Sequence, residues 1–176
     1  MEVISTSIKG LTIIQPRVFE DKRGYFMESY QHSFFMENFP DIKFIQDNES
    51  KSSFGVLRGL HFQKPPFEQT KLVRVVKGKV LDVAVDLRPR SDTFGKHYSI
   101  ILSEENKTQF LIPRGFAHGF IVLSEEAIFN YKVDNVYAPD YDSGILYNSL
   151  DIDWIIDERN IIVSEKDKKL SPFLKG

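Results

Sequence analysis

The sequence predicts an all-β fold, a sandwich or closed barrel of short strands, and three observations carry that expectation. Short apolar and β-branched runs recur along most of the chain, each closed by Gly, Pro or charged turn residues. Only one segment has clear helical spacing. No linker, internal repeat or low-complexity tract divides the chain, so residues 1–176 are expected to form one domain around one core. Among closed antiparallel folds, jelly rolls hold a ligand cavity between their two sheets. A jelly-roll β-barrel with a few short helices is therefore the expected architecture.

The elements follow in order. Residues 11–16 form an apolar run, and Arg23-Gly24 opens a strand at 25–30. Residues 31–39 are the best helical segment, with Phe35 and Phe39 at i and i+4, and Pro40 ends it. Strands are expected at 42–48 and 56–63, the second closed by Lys64-Pro65-Pro66. Residues 71–76 and 79–87 flank Lys77-Gly78 and read as the clearest hairpin in the chain. Later strands are expected at 98–102, 109–112, 119–123 and 127–133. From Pro139 onward turns and one short helix are expected.

Composition narrows the function. The formal net charge is -2 and no Lys/Arg run stands out, so no nucleic-acid partner is expected. No apolar stretch could span a bilayer, and Met1-Glu2-Val3-Ile4 lacks the basic and apolar regions of a signal peptide. There is no Cys, which excludes disulfides, thiolate metal sites and a Cys nucleophile. A cytoplasmic protein with no membrane partner is the expectation.

Four segments stand out chemically. In Gly55-Val56-Leu57-Arg58-Gly59-Leu60-His61-Phe62-Gln63, an Arg and a His interrupt an apolar strand. Burying either costs free energy unless it has a partner. An exposed Arg and a satisfied core His would be the plain explanation. Strict alternation puts Arg58 and His61 on opposite faces, so both can reach one cavity only through a bulge, for which Gly59 is the obvious place. Lys71 opens the next strand, with Asp82 on the strand after the turn. A surface Lys and an inward cation paired with Asp82 are equally compatible with that spacing.

The third segment, Pro113-Arg114-Gly115-Phe116-Ala117-His118, is similar to the second cupin motif, which supplies a His ligand in metal-binding cupins. The partner motif there carries His-x-His, whereas this chain has His61-Phe62-Gln63. Gln is a poor transition-metal ligand, so no metal is expected, with a His61, His118 and Glu68 site as the alternative. The fourth is Tyr131 in its strand, followed by Tyr137. A strand Tyr is most often core.

Together these segments resemble the dTDP-4-dehydrorhamnose 3,5-epimerase family. The resemblance also rests on Phe19-x-Asp21-x-Arg23-Gly24-x-Phe26-x-Glu28, Gln46-x-Asn48-x-Ser50, Lys71-Leu72-Val73-Arg74-Val75, Asp82-Val83-Ala84-Val85-Asp86, Tyr131-Lys132 and Ser164-x-Lys166-Asp167. It implies a cupin-type jelly roll, or double-stranded β-helix, and a homodimer in which an N-terminal strand joins the neighbouring subunit. It also implies an isomerase that uses no metal or organic cofactor. The implied reaction converts dTDP-4-dehydro-6-deoxy-D-glucose to dTDP-4-dehydro-L-rhamnose, within dTDP-L-rhamnose biosynthesis. Tyr147-Asn148-Ser149 stands where the family more often has Trp-Asn-Asp, Thr70 where Gly is common and Asp142 where Glu is common.

The reaction explains the residue types. A C4 ketone acidifies the hydrogens on C3 and C5, so inversion needs a base on one face, an acid on the other and a positive group at the C4 oxygen. The resemblance assigns these roles to His61, Tyr131 and Lys71, with Asp167 orienting His61 and stabilising its imidazolium. Ser164-Glu165-Lys166-Asp167 also looks like a capping box, in which Asp167 would merely cap a short helix. The resemblance further implies substrate contacts at Arg23, Glu28, Gln46, Asn48, Arg58, His118, Asp142 and Lys166, and places Tyr137 against thymine. Gln46 and Asn48 share one strand face by parity. Arg23 and Arg58 suit a pyrophosphate. The rivals are a mono-epimerase acting at C3 or C5 of a related nucleotide 4-keto sugar, a metal-dependent cupin, and a non-catalytic carbohydrate-binding jelly roll. The last would have no use for His61, Lys71, Tyr131 and Asp167 together.

Overall fold

A computed structural model describes residues 1–174 of the chain. The strands among them are β1 (Glu2–Ser5), β2 (Thr12–Gln15), β3 (Val18–Asp21), β4 (Gly24–Met27), β5 (Gln46–Ser53), β6 (Val56–Gln63) and β7 (Lys71–Lys77), then β8 (Lys79–Asp86), β9 (His97–Ser103), β10 (Gln109–Ile112), β11 (Phe116–Val122), β12 (Glu126–Val133), β13 (Asp142–Gly144) and β14 (Ile162–Val163). One α-helix, α1 (His32–Asn38), lies between β4 and β5. The first sheet has the order β1-β2-β10-β7-β12-β5. The second has the order β13-β6-β11-β8-β9, with β14 added in parallel to β6. β3 and β4 form a separate two-stranded hairpin. This double-sheet arrangement is the jelly roll, and it bears out the expected all-β fold.

Alternation along the strands builds three apolar layers. Val73, Val75, Phe110 and Phe129 of the first sheet meet Val80, Ala84, Phe116 and Phe120 of the second in the core between them. On the outer side of the first sheet, Ile14, Leu72 and Leu111 pack against Phe35 of α1, joined by Tyr30, Phe39, Ile42 and Phe44. On the outer side of the second, Leu57, Leu81, Val83 and Ile121 are covered by Ile152 and Trp154 of the C-terminal segment. Strand β11 is therefore buried on both faces, which is why it is apolar on both apart from His118.

The hairpin expected at Lys77-Gly78 is not a hairpin. β7 pairs with β10 and β12, whereas β8 pairs with β11 and β9, so the chain turns a corner from one sheet into the other. Gly78 makes this corner with φ +79, and a Cβ there would lie 2.1 Å from the Glu126 carbonyl oxygen. The Gly78 and Lys79 amides donate to the side chains of Glu104 and Ser124 instead of closing a two-strand turn. A second correction concerns residues 42–48, since the strand there is β5, beginning at Gln46. Ile42 and Phe44 are apolar because they pack beside α1. The expected C-terminal helix is instead three single 3₁₀ turns, Pro139–Tyr141, Glu158–Asn160 and Asp167–Lys169. β3, β13 and β14 were not anticipated, and β1 only as the N-terminal strand that the resemblance implies. Among the described residues no helix is long and apolar enough to cross a membrane.

Candidate active site

A cavity of about 530 Å³ opens between the two sheets. β6 and β11 supply Arg58, His61, His118 and Phe120, β7 and β12 supply Lys71, Phe129 and Tyr131, and the C-terminal segment adds Lys166 and Asp167. The expected bulge is present. His118 lies opposite His61 and Phe120 opposite Arg58, so β6 advances three residues against two on β11. Arg58 and His61 consequently face the same cavity. Gly59 permits the bulge, with φ +131 and a position where a Cβ would come within 2.5 Å of the Gly119 Cα.

His61 Nε2 donates to Asp167 Oδ1 at 2.8 Å. Asp167 Oδ2 accepts the Gly59 amide at 3.3 Å, so one carboxylate holds both the imidazole and the bulge beneath it. The capping box is only half present. Ser164 Oγ caps by accepting the Asp167 amide, while the Asp167 carboxylate is turned to His61. Because Nε2 carries the proton given to Asp167, Nδ1 of a neutral His61 holds the lone pair.

A second His–Asp pair lies deeper. His118 Nε2 donates to both carboxylate oxygens of Asp82, at 3.0 and 2.9 Å, and Asp82 is fully buried. Burial lowers the His118 pKa, with Asp82 opposing and the Lys71 charge assisting, so His118 is held towards its neutral form. Burial also lowers the Lys71 ammonium from its ordinary 10.5 to about 8, against the pull of Asp82 and Asp142. Lys71 is thus an inward cation, still charged at neutral pH. Burial raises the Tyr131 phenol, outweighing Arg58, so Tyr131 remains protonated and able to donate.

The other expected residues lie around this centre. Arg58 Nε donates to Ser52 Oγ at 2.9 Å. Tyr137 and Lys166 both donate to Asp142 Oδ2, at 3.3 and 2.5 Å, forming one rim cluster. Asn48 stands opposite Tyr131 in register and accepts from Gln46 at 2.8 Å. Arg23 and Glu28 are not brought into this cavity. Arg23 sits at the tip of the β3–β4 hairpin, paired with Asp21 and lining a separate groove, and Glu28 is exposed just after β4. The alternative His61, His118 and Glu68 site is not assembled either, because Glu68 lines a different cavity. Gln63 donates to the Phe67 and Val136 carbonyls and accepts the Ala138 amide, so its side chain ties loops together. Sequence reasoning left Asp82 undecided and passed over Ser52. A carboxylate inside the apolar residues 80–85 was the available signal for Asp82.

The family model described as dTDP-4-dehydrorhamnose 3,5-epimerase matches residues 5–175 of this chain. A protein of that name from Methanothermobacter thermautotrophicus is 52% identical over 173 residues, covering 97% of this chain and 93% of its own length. The crystal structure of dTDP-4-dehydrorhamnose 3,5-epimerase from Elizabethkingia anophelis superposes with a TM-score of 0.94 at 53% identity, over 98% of this chain and 96% of that one. The structure from Legionella pneumophila, in complex with dTDP-4-keto-L-rhamnose, superposes with a TM-score of 0.92 at 47% identity, over 97% and 91%.

Proposed function

This chain belongs to the dTDP-4-dehydrorhamnose 3,5-epimerase family, and from that premise we propose that it inverts C3 and C5 of dTDP-4-dehydro-6-deoxy-D-glucose to give dTDP-4-dehydro-L-rhamnose. The observation that carries the reading is His61 of one sheet, paired with Asp167 of the C-terminal segment, facing the cavity that Tyr131 enters from the other sheet. A base and an acid on opposing walls are what inversion at a carbon next to a ketone requires.

His61 Nδ1 takes the proton from C3 or C5, and the C–H electron pair moves into the enolate, placing negative charge on the C4 oxygen. Asp167 balances the imidazolium that forms. The Lys71 ammonium stabilises the oxygen, and one such donor is worth about 3–4 kcal/mol on a barrier. Tyr131 returns a proton to the opposite face of the same carbon. Solvent then restores His61 and Tyr131, so the step closes with no net loss of protons. Phe120 and Phe129, stacked at 4.1 Å, give the cavity an apolar floor that strengthens these charge interactions.

The rim cluster of Tyr137, Asp142 and Lys166 lies where the nucleotide would extend outward, with Arg58 near the pyrophosphate. We assign Arg23 and Glu28 to the cavity of a second copy in a homodimer. The exposed Phe19, Tyr25 and Phe26 on their hairpin support this. A monomeric mass in solution at micromolar concentration would refute that assignment. The reaction itself is tested by turnover in deuterated water. Label is expected at both C3 and C5; label at one carbon would make the protein a mono-epimerase, and none would end the enzymatic reading.

A further inference from the structure

Among the groups lining the cavity, Lys71 and His118 can both meet oxygen atoms of a sugar, and their hydrogen-bonding capacities differ. An ammonium can only donate. A neutral imidazole donates at one nitrogen and accepts at the other, and which is which depends on the partner of the first. For His118 that partner is Asp82, whose two oxygens both face Nε2. A carboxylate can only accept, so Nε2 must carry the hydrogen. Nδ1 has no partner among the described residues, yet no side-chain nitrogen or oxygen that is fully buried lacks one. Nδ1 is therefore open to the cavity that His118 lines.

We infer that Asp82 is a positioning residue that locks His118 as the Nε2–H tautomer, so that its Nδ1 accepts a hydrogen bond from a sugar hydroxyl while Lys71 donates to the keto oxygen. The inference rests on the nucleotide 4-keto sugar reading. It divides recognition by chemistry. An acceptor cannot bind a ketone oxygen and an ammonium cannot accept from a hydroxyl, so the pair orients a ring that carries both. Asp82 serves both partners, because its charge also favours the Lys71 ammonium. The ionisable groups that bear on His118 are Asp82, Lys71 and His61, and the nearby Lys71 charge opposes a second proton on its ring. In register His118 stands opposite Ala84 and Asp82 opposite Phe120, so the two side chains meet diagonally across neighbouring strands.

The test is ¹⁵N NMR of the histidine-labelled free enzyme at neutral pH, the His118 signals being assigned by their loss in His118→Gln. His118 should be neutral with hydrogen on Nε2. In Asp82→Asn the amide no longer enforces that form, and the Nδ1–H tautomer should become populated. With substrate, kcat/KM of Asp82→Asn should fall at least tenfold, mostly through KM, and the alkaline limb of its pH profile should move to lower pH. The wild type should discriminate against analogues lacking the C2 or the C3 hydroxyl, and the variant should discriminate less. Hydrogen on Nδ1, or on both nitrogens, in the wild type would overturn the inference, as would Asp82→Asn with unchanged tautomer and kinetics. Should Asp82→Asn fail to fold, the wild-type spectrum alone decides. A wild type with the expected tautomer but no turnover of a nucleotide 4-keto sugar would instead refute the functional reading, and the hydroxyl assignment with it.

Discussion

Two His–Asp pairs share one wall of the cavity, and they differ in what substrate can reach. The His61 side chain is 34% exposed, and its carboxylate partner comes from the C-terminal segment, far away in sequence. The His118 side chain is 8% exposed, and its partner Asp82 lies on the adjacent strand of the same sheet, wholly enclosed. The same two functional groups therefore serve different ends. The open pair can take up a proton and release it to solvent. The enclosed pair cannot change charge cheaply, since burial disfavours the imidazolium, and it is suited to holding a fixed hydrogen-bonding pattern.

Substitutions sharpen this contrast. His61→Ala removes the proposed base and should lower turnover by about 100- to 10,000-fold, abolishing both inversion and exchange of the C3 and C5 hydrogens with solvent. Tyr131→Phe removes the acid but leaves the base, so solvent exchange should persist while inversion fails. Equal exchange in the two variants would mean that the base is elsewhere. Asp167→Asn keeps the size of the side chain and loses its charge, so turnover should fall at least tenfold, about 1.4 kcal/mol on the barrier. Its melting temperature should hardly move, because Ser164 rather than the carboxylate caps the turn. Unchanged turnover with a lowered melting temperature would return Asp167 to a capping role.

The smallest effect concerns pH. Lys71 loses its proton near pH 8, so kcat/KM should decline as pH rises through that value. Stability should respond with the opposite sign. Between about pH 8 and 10.5 the unfolded chain keeps a proton on this lysine that the folded chain has released, so the native state gains stability as pH rises across that window. Activity and stability moving together above pH 8 would show that unfolding, rather than Lys71, governs the alkaline limb.

Much of this was readable from the sequence where one residue type had one explanation. For Arg58 and His61 to share one cavity the strand had to bulge, Gly59 was the place for it, and β6 runs over Val56–Gln63 as expected. The corner at Gly78 was not readable, because two alternating strands around a Lys-Gly turn fit a hairpin and a sheet-to-sheet crossing equally well. What decides is the packing of Gly78 on Glu126 and Ser124, distant in sequence. β5 was misplaced for a related reason. Asn48, Ser50 and Ser52 lie across from Tyr131, Phe129 and Ala127 on its inward face, so a strand bordering a polar cavity carries no apolar alternation to detect. Arg23 and Glu28 show a further limit, since a match to a motif says nothing about which copy of the chain a residue serves.

The segment carrying Asp167 is held by packing, with Ile161 and Val163 against the outer apolar layer, more than by backbone bonds. β14 is two residues long, pairs in parallel with β6 off the main order of the sheet, and is fixed by bonds such as the Ile162 amide to the Gly55 carbonyl. Both large sheets close without it. Local opening of such a strap requires less free energy than dissolving the barrel. When it lifts, the carboxylate leaves His61 and the Gly59 amide together, and the imidazole is free to rotate. Heat or denaturant would then silence the enzyme through a small, reversible detachment at its C-terminal end, at conditions in which the barrel itself is still intact.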